Sequence, residues 1–151
     1  MKIEKFTEKS REILNDAHSL ANLAQNSEIS PHHFLQALST AEGTVFNILV
    51  AKNGIDMEVV KQKNQERLKD LPLVQNNQTI GLSKQLMDVM NQMEKLAAQR
   101  KDKFVRSELF LQAALEVDTP FKEFLQSLGF NKEIVAQHTA SLLKEKTETE
   151  Q

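Results

Sequence analysis

This 151-residue chain has few residues of the types that act in catalysis or bind metals, and their spacing matches no catalytic or metal-binding motif. There is no cysteine, and the four histidines are His18, His32, His33 and His138. His32 and His33 are adjacent, so on a helix their side chains diverge by about 100° and cannot readily share one metal ion. A helix-start or solvated role is therefore favoured for this pair over metal ligation. His138 lies beside an apolar helical stripe, which favours a partly buried imidazole.

Nucleotide and hydrolytic chemistry have no local motif in the sequence. No glycine-rich phosphate loop occurs, so no nucleotide site is predicted. The best placed serines, Ser30, Ser83 and Ser107, are each predicted to cap a helix. A Ser-His-Asp triad is defined by geometry, so a free-standing helical hydrolase stays an alternative for an activity screen to test. We predict no catalytic residue, metal ligand or cofactor in this chain and expect it not to be an enzyme by itself.

One unusual segment, residues 100–108, surrounds an aromatic residue with charges of both signs. In one interpretation it is a solvated loop, where Asp102 forms local turn bonds and Glu108 electrostatically favours the N-terminus of the helix that follows. In the other it is a polar cluster that positions a partner beside Phe104 and Leu109. The first interpretation is favoured by the sequence alone, because loops are usually charged.

Three methionines, Met87, Met90 and Met93, recur at helical spacing. Met at this spacing is more often part of a core than of a binding surface. Flexible, polarisable Met side chains are also frequent in grooves that accept many apolar partners. Both interpretations stay open at this point.

The elements that carry these residues are predicted to be eight helices, because apolar residues recur at helical spacing between residues that start and stop helices. Predicted caps are Thr7, Ser30, Asp56, Ser83 and Asn131, and predicted stops are Gly54, Pro72 and Gly129. Pro31 and Pro120 occupy first helical positions, where a missing N–H costs nothing.

The pattern repeats at an offset of 76 residues. Thr7 recurs as Ser83, Leu35 recurs as Leu111, and the letters FLQA at 34–37 recur at 110–113. We therefore predict an all-α fold of two four-helix pseudo-repeats. The predicted divisions are one domain at 1–145, with repeat one at about 6–71, a polar surface connection at 72–81, repeat two at about 82–145, and a charged linker beginning at 146–151.

The overall charge disfavours several classes of partner. A formal net charge of −2, from 19 basic and 21 acidic residues, lacks the basic surplus that nucleic acid binding requires. No apolar run approaches the ~20 residues of a membrane span, and the N-terminus shows no signal peptide. The absence of cysteine is compatible with a cytoplasmic location, which we expect.

Four segments of the sequence resemble a known family. They are residues 6–10 (FTEKS), 29–35 (ISPHHFL), 71–72 (LP) and 100–110 (RKDKFVRSELF). Together they resemble the Clp N-terminal (Clp repeat) domain over nearly all of residues 1–145, duplication included. Within the family, the similarity is greatest to the N-terminal domains of ClpB-type disaggregases of the Hsp100 class.

The resemblance implies a domain that precedes two AAA+ ATPase modules on a longer chain, which assembles into a hexameric ring. Such a ring threads aggregated proteins through its pore with help from the DnaK system. The N-terminal domain helps to capture unfolded or aggregated proteins and does no chemistry. ATP and magnesium are expected only in the AAA+ modules, which lie outside this chain.

The resemblance also implies a set of substrate-binding residues. Polar positions that the family uses in substrate handling fall on Thr7, Ser83, Asp102 and Glu108. An apolar groove between the repeats falls near Met90, Leu96, Phe104 and Leu109. Thr7 and Ser83 are also repeat-related caps, so their roles could be structural only.

The alternative within the family is an adaptor-docking N-domain of a Clp protease ATPase of the ClpC or ClpA type. ClpC-type relatives recognise phosphoarginine and carry a Glu at the start of the second helix in each repeat. Here the second repeat keeps Glu108, but His32 stands at the other position. Two carboxylates facing a guanidinium are thus not available, which disfavours this alternative.

Overall fold

Helices make up most of the computed structural model, which describes residues 2–74 and 79–145. The eight α-helices are α1 (Glu8–Leu23), α2 (Pro31–Thr40), α3 (Phe46–Lys52), α4 (Met57–Lys69), α5 (Lys84–Arg100), α6 (Phe110–Glu116), α7 (Pro120–Ser127) and α8 (Lys132–Glu145). Short 3₁₀ turns lie at Ile3–Lys5 and Ser107–Leu109. The predicted all-α class with eight helices is confirmed within these residues. None of their helices combines the length and apolar character that spanning a bilayer needs.

Helix starts are set by the predicted capping residues. The Thr7 hydroxyl accepts a hydrogen bond from the Ser10 N–H at 3.0 Å, and the Ser83 hydroxyl accepts one from the Leu86 N–H at 3.1 Å. Each satisfies a first-turn donor that has no partner inside the helix. Ser107 differs from its predicted capping role, because it is the first residue of a 3₁₀ turn whose N-cap is Arg106.

Helix ends follow the predicted glycines. Gly54 and Gly129 have φ values of +74° and +104°, in the left-handed region where a side chain would be strained. Lys101 ends α5 in the same region at φ +62°. A left-handed lysine is uncommon, so this helix end had no glycine signal in the sequence.

Helix positions recur at the offset found in the sequence. α1 starts at Glu8 and α5 at Lys84, which are 76 residues apart. α2 spans Pro31–Thr40, and the Ser107–Leu109 turn with α6 covers the same positions 76 residues later. The second half therefore places the same kinds of element at the same points of its sequence.

The two halves are joined by reciprocal backbone pairing. Phe6 forms a parallel β-bridge with Val105, and Leu82 forms a parallel β-bridge with Ile29. An offset of 76 converts the first pair into the second. We call residues 5–7 and 81–83 the two straps, because each one begins a half and pairs with the loop between the first two helices of the other half.

One continuous core lies between the halves. Its buried apolar side chains come from all eight helices, from the first strap and from the interhelical loops. Phe34 of α2 and Phe110 of α6 stack with their ring centroids 4.4 Å apart and their planes 24° apart. These two residues are also related by the sequence offset of 76.

The connection between the halves is partly paired at its start. Val74 donates its N–H to the Gln25 carbonyl at 2.8 Å, and the Pro72 carbonyl accepts from the Ser27 N–H at 3.1 Å. Ile80 near its end is buried. Residues 75–78 of the predicted surface connection and the predicted linker at 146–151 lie outside the described residues.

Candidate partner-binding site

The loop after α5, residues 101–105, carries the exposed part of the predicted site. It is fixed at its start because the Asp102 N–H donates to the Ala97 carbonyl at 2.9 Å. It is fixed at its end because Val105 pairs with the first strap: its N–H donates to the Lys5 carbonyl at 2.8 Å, and its carbonyl accepts from the Thr7 N–H at 3.0 Å. Both ends of this loop are therefore set by backbone bonds.

Asp102 and Phe104 are the two predicted site residues that are partly exposed. The Asp102 carboxylate accepts from Arg100 Nε at 2.8 Å, an ion pair with a side chain in place of the predicted turn bonds. The Lys103 ammonium lies 5.6 Å from the centre of the Phe104 ring, within the range of a cation–π interaction. The loop thus presents an aromatic face and positive charge together.

A cleft of about 110 Å³ opens beside this loop. It is lined by Lys5, Glu94, Ala97, Ala98, Asp102, Lys103 and Val105. Its two carboxylates already have partners, because Glu94 accepts from the Lys2 N–H at 3.3 Å and Asp102 is paired with Arg100. Within the described residues, the lysines Lys5 and Lys103 form no ion pair. The cleft therefore offers small apolar side chains beside two lysines that form no ion pair, with the Glu94 carboxylate also in its lining.

Glu108 is buried and reaches the other half of the molecule. Its Oε2 atom accepts from the Val45 N–H at 3.4 Å, at the start of α3. The sequence predicted an interaction of Glu108 with the start of its own helix, whereas this contact is with the start of α3 in the first half, whose N-cap supplies no side-chain bond. Glu108 contributes to joining the halves.

His32, the repeat-related counterpart of Glu108, is held by an amide and two aromatic rings. Asn64 donates its amide to the His32 carbonyl at 2.8 Å, so its oxygen faces His32 Nδ1, also at 2.8 Å. The His32 ring lies edge-on to Phe121 and Phe124, with centroids 4.9 and 4.8 Å away. Burial lowers the pKa of His32 and outweighs the Asn64 hydrogen bond, and the charge of Arg67 lowers the pKa further. The neutral imidazole is an apolar contact between the halves.

His33 has the helix-start role predicted for it, in a buried setting instead of a solvated one. Its Nδ1 accepts from the Ser30 N–H at 2.9 Å, which completes a capping box, and its Nε2 lies 2.8 Å from Asn26 Oδ1. Burial and the neighbouring His32 lower its pKa to about 4. His138 is half-buried, as predicted. No group of three metal-ligating side chains occurs within the described residues.

Six of the eight predicted site residues are buried: Thr7, Ser83, Met90, Leu96, Glu108 and Leu109. The three apolar ones among them belong to the core, so direct contact with a partner would require that core to open. Their predicted substrate contacts, like those of Asp102 and Phe104, stay predictions.

Sequence reasoning missed Lys5, Ala97 and Ala98, which line the cleft. A local signal existed for the strap that carries Lys5, because the apolar Phe6 and Leu82 precede equivalent caps. It could not indicate which loop the strap contacts.

Residues 5–128 match the sequence profile of the family described as the Clp repeat (R) N-terminal domain. The chain is 34% identical over 133 residues to the chaperone protein ClpB of Pseudomonas putida, covering 87% of this chain and 16% of that protein. It is 30% identical over 138 residues to ClpB of Vibrio vulnificus, covering 91% of this chain and 16% of that protein. The chain therefore spans a small part of the length of these relatives.

Solved structures share the fold. The N-terminal domain of Hsp104 from Candida albicans has a TM-score of 0.83 and 25% identity, with 97% of each chain covered. A ClpV N-domain, solved as a complex with a VipB peptide, has a TM-score of 0.77 and 24% identity, with 96% of this chain and 91% of that chain covered.

Proposed function

Because this chain belongs to the family of Clp repeat (R) N-terminal domains, we propose that it is the substrate-capture domain of an ATP-dependent protein disaggregase. In this role it binds exposed hydrophobic segments of unfolded or aggregated proteins and passes them to an AAA+ ring. The observation that carries the proposal is the 34% identity to a ClpB chaperone over 87% of the chain.

The exposed part of the site supports a capture role. Phe104 is partly exposed, and its chain neighbours Lys103 and Val105 line the cleft with Ala97 and Ala98, so apolar segments have a place to bind. The cleft is small, which favours weak and fast contacts. Weak contacts suit a domain that must release its substrate to the next component.

The remaining steps belong to the longer chain that we propose. There the AAA+ modules would bind ATP and magnesium, assemble as a hexamer and cooperate with the DnaK system. This domain would contribute recognition only. In the ClpV N-domain complex the bound partner is a peptide, which is consistent with recognition of short segments by this fold.

The proposal is tested by titrating the ¹⁵N-labelled chain with a reduced, carboxymethylated α-lactalbumin, which is permanently unfolded. We expect amide shifts at 101–105 and weaker binding by Phe104→Ala. Leu23→Ala is the matched control, because Leu23 is a highly exposed apolar residue on α1. Shifts that avoid the loop, or equal loss of binding in both variants, would contradict the site.

A pull-down with a folded adaptor protein of a Clp protease, in parallel with the unfolded α-lactalbumin, examines the adaptor-docking alternative. Capture predicts retention of the unfolded protein only. Retention of folded partners in preference to unfolded ones would favour the ClpC or ClpA type of function.

A further inference from the structure

The loops that follow α1 and α5 have the same backbone conformation. Gln25 and Lys101, which are 76 residues apart, are the two non-glycine residues with positive φ in the described chain, at +55° and +62°. The next amide in each loop bonds back to the helix, from Asn26 to Ala21 and from Asp102 to Ala97, both at 2.9 Å. The two loops therefore present their following backbone groups in the same way.

The loop after α1 is covered by an extended segment of the chain itself. Leu73 forms an antiparallel bridge with Asn26. On one side of that bridge the Ser27 N–H donates to the Pro72 carbonyl, and on the other the Gln25 carbonyl accepts from the Val74 N–H, at 3.1 and 2.8 Å. Residues 72–74 thus act as a short added strand on this loop.

The loop after α5 has the same edge without such a strand. The groups equivalent to those of Gln25 and Ser27 are the Lys101 carbonyl and the Lys103 N–H. Neither forms a backbone hydrogen bond to another part of the chain in the ranges 2–74 and 79–145. Both residues are exposed, and Lys103 also lines the cleft beside the loop. A donor and an acceptor spaced for an antiparallel bridge therefore have no backbone partner here within the described residues.

The charge around this edge indicates which segments would suit it. Residues 94–103 contain four basic and two acidic residues, while the whole chain has a net charge of −2. Of the two acidic ones, Asp102 is paired with the Arg100 guanidinium, and Glu94 accepts a hydrogen bond from the uncharged backbone N–H of Lys2, so this stretch keeps a basic surplus. Carboxylates on a bound segment would meet Lys5 and Lys103, which have no ion pair within the described residues.

We propose that the backbone of residues 101–103 binds an extended segment of a partner chain as an added antiparallel strand. The segment is apolar, with flanking acidic residues, and its backbone bonds to the Lys101 carbonyl and the Lys103 N–H as residues 72–74 bond to the first loop. The inference rests on the proposed capture function and specifies the chemistry of its substrate.

Backbone pairing selects unfolded chains over folded helices. The N–H and C=O groups inside a helix are already bonded to each other, so a helical segment cannot supply the two bonds. An extended chain has free groups along its length and gains affinity from backbone bonds with little dependence on sequence. This edge therefore selects extended over helical segments, and the lysines around it add the preference for acidic flanks.

The first test uses a fluorescein-labelled peptide, Glu-Glu-Leu-Pro-Leu-Val-Glu-Glu, and measures binding by fluorescence anisotropy. N-methylation of its valine removes the donor to the Lys101 carbonyl, and we expect affinity to fall about tenfold, the loss of one well-placed hydrogen bond. N-methylation of the leucine before that valine is the matched control, because its N–H points away from the edge in an antiparallel pairing. Equal effects of the two modifications would overturn the proposal.

The second test uses variants of the chain. Lys103→Pro removes the N–H donor, and the Lys5→Glu/Lys103→Glu double variant reverses the charge but keeps the donor. We expect both variants to bind the peptide with lower affinity. Lys63→Glu, on the exposed face of α4, is the control and should leave the affinity unchanged. In the parent chain, hydrogen exchange at the Lys103 amide should slow about tenfold on peptide binding. Unchanged exchange in a saturated complex would refute backbone pairing even if Lys103→Pro fails to fold.

Parallel titrations with carboxymethylated α-lactalbumin distinguish failure of the proposed strand pairing from failure of the proposed capture function. If it binds the parent chain and exchange at Lys103 is unchanged, the strand pairing is wrong while the capture function stands. If it does not bind at all, the capture function itself fails.

Discussion

At the scale of single residues, polar side chains are used mainly to hold elements in place. Thr7 and Ser83 close helix N-termini, Glu108 reaches the start of α3, and His33 completes a capping box. Each of these four is buried, so its hydrogen bonds are made where an unmet donor would be costly. The fold therefore depends on a few buried polar groups, of which the His33 imidazole has a lowered pKa.

Stability should depend on pH through His33. Its pKa is about 4 in the folded chain against an ordinary 6.5. Between these values the unfolded chain binds a proton that the folded chain does not, so the free energy of unfolding falls as pH falls. We expect the contribution to be fully present above pH 6.5 and to decline towards pH 4. Urea denaturation at several pH values measures it.

His33→Gln isolates this effect, because glutamine at the same position can still accept from the Ser30 N–H in a capping box. Between pH 6.5 and 4 the free energy of unfolding of the variant should depend less steeply on pH than that of the parent chain, by up to the slope that corresponds to one proton. His18→Gln, on the exposed side of α1, is the control. An identical pH dependence in the parent chain and His33→Gln would show that the buried imidazole is not responsible.

At the scale of elements, helix starts and ends that depend on local residues can be predicted from the sequence, whereas contacts between distant residues cannot. The starts of α1 and α5 and the ends at Gly54 and Gly129 were predictable, because a cap or a left-handed glycine acts within one turn. The left-handed Lys101 was not predictable, because neither lysine nor its neighbours encode that conformation.

The same contrast applies to the candidate site. Asp102 and Phe104 were identified from the resemblance, and both are partly exposed. The sequence did not predict that Met90 and Leu109 are too buried to contact a substrate directly, because an apolar helical stripe is equally compatible with a core and a groove. The strap pairing of Phe6 with Val105 joins positions 99 residues apart, which no periodicity can reveal.

The stacked rings of Phe34 and Phe110 should couple α2 to α6 energetically. A double-mutant cycle with Phe34→Leu and Phe110→Leu, measured by urea denaturation, should give a coupling free energy of about 0.5–1.5 kcal/mol, typical of aromatic pairs. Leucine keeps much of the apolar volume, so the cycle reports the ring contact more than a cavity. Additivity within about 0.3 kcal/mol would mean that the stacking contributes nothing specific.

At the scale of the whole molecule, the two halves share one core and should unfold together. The core contains equivalent residues of both halves, such as Leu35 and Leu111, each fully buried. The straps add backbone bonds in both directions across the junction. A chain built this way has no half whose apolar surface is satisfied by itself, so cooperativity should extend over all eight helices.

Leu35→Ala and Leu111→Ala test this cooperativity as a matched pair. Each should lower the free energy of unfolding by about 2–5 kcal/mol, because truncation leaves a cavity in a closely packed interior. Calorimetry should show one transition in each variant, shifted to lower temperature. Two separate transitions, with only one moved by each variant, would show that the halves unfold independently.

The reciprocal straps also bear on how such a chain could have arisen. A half that carries both its own strap and the loop that accepts a strap is self-complementary: Phe6 of one copy would pair with Ile29 of a second copy, as it now pairs with Val105. Two copies related by a two-fold axis would satisfy each other completely. In the single chain the two loops are covalently distinct, so one of them can be covered by residues 72–74 while the other is not.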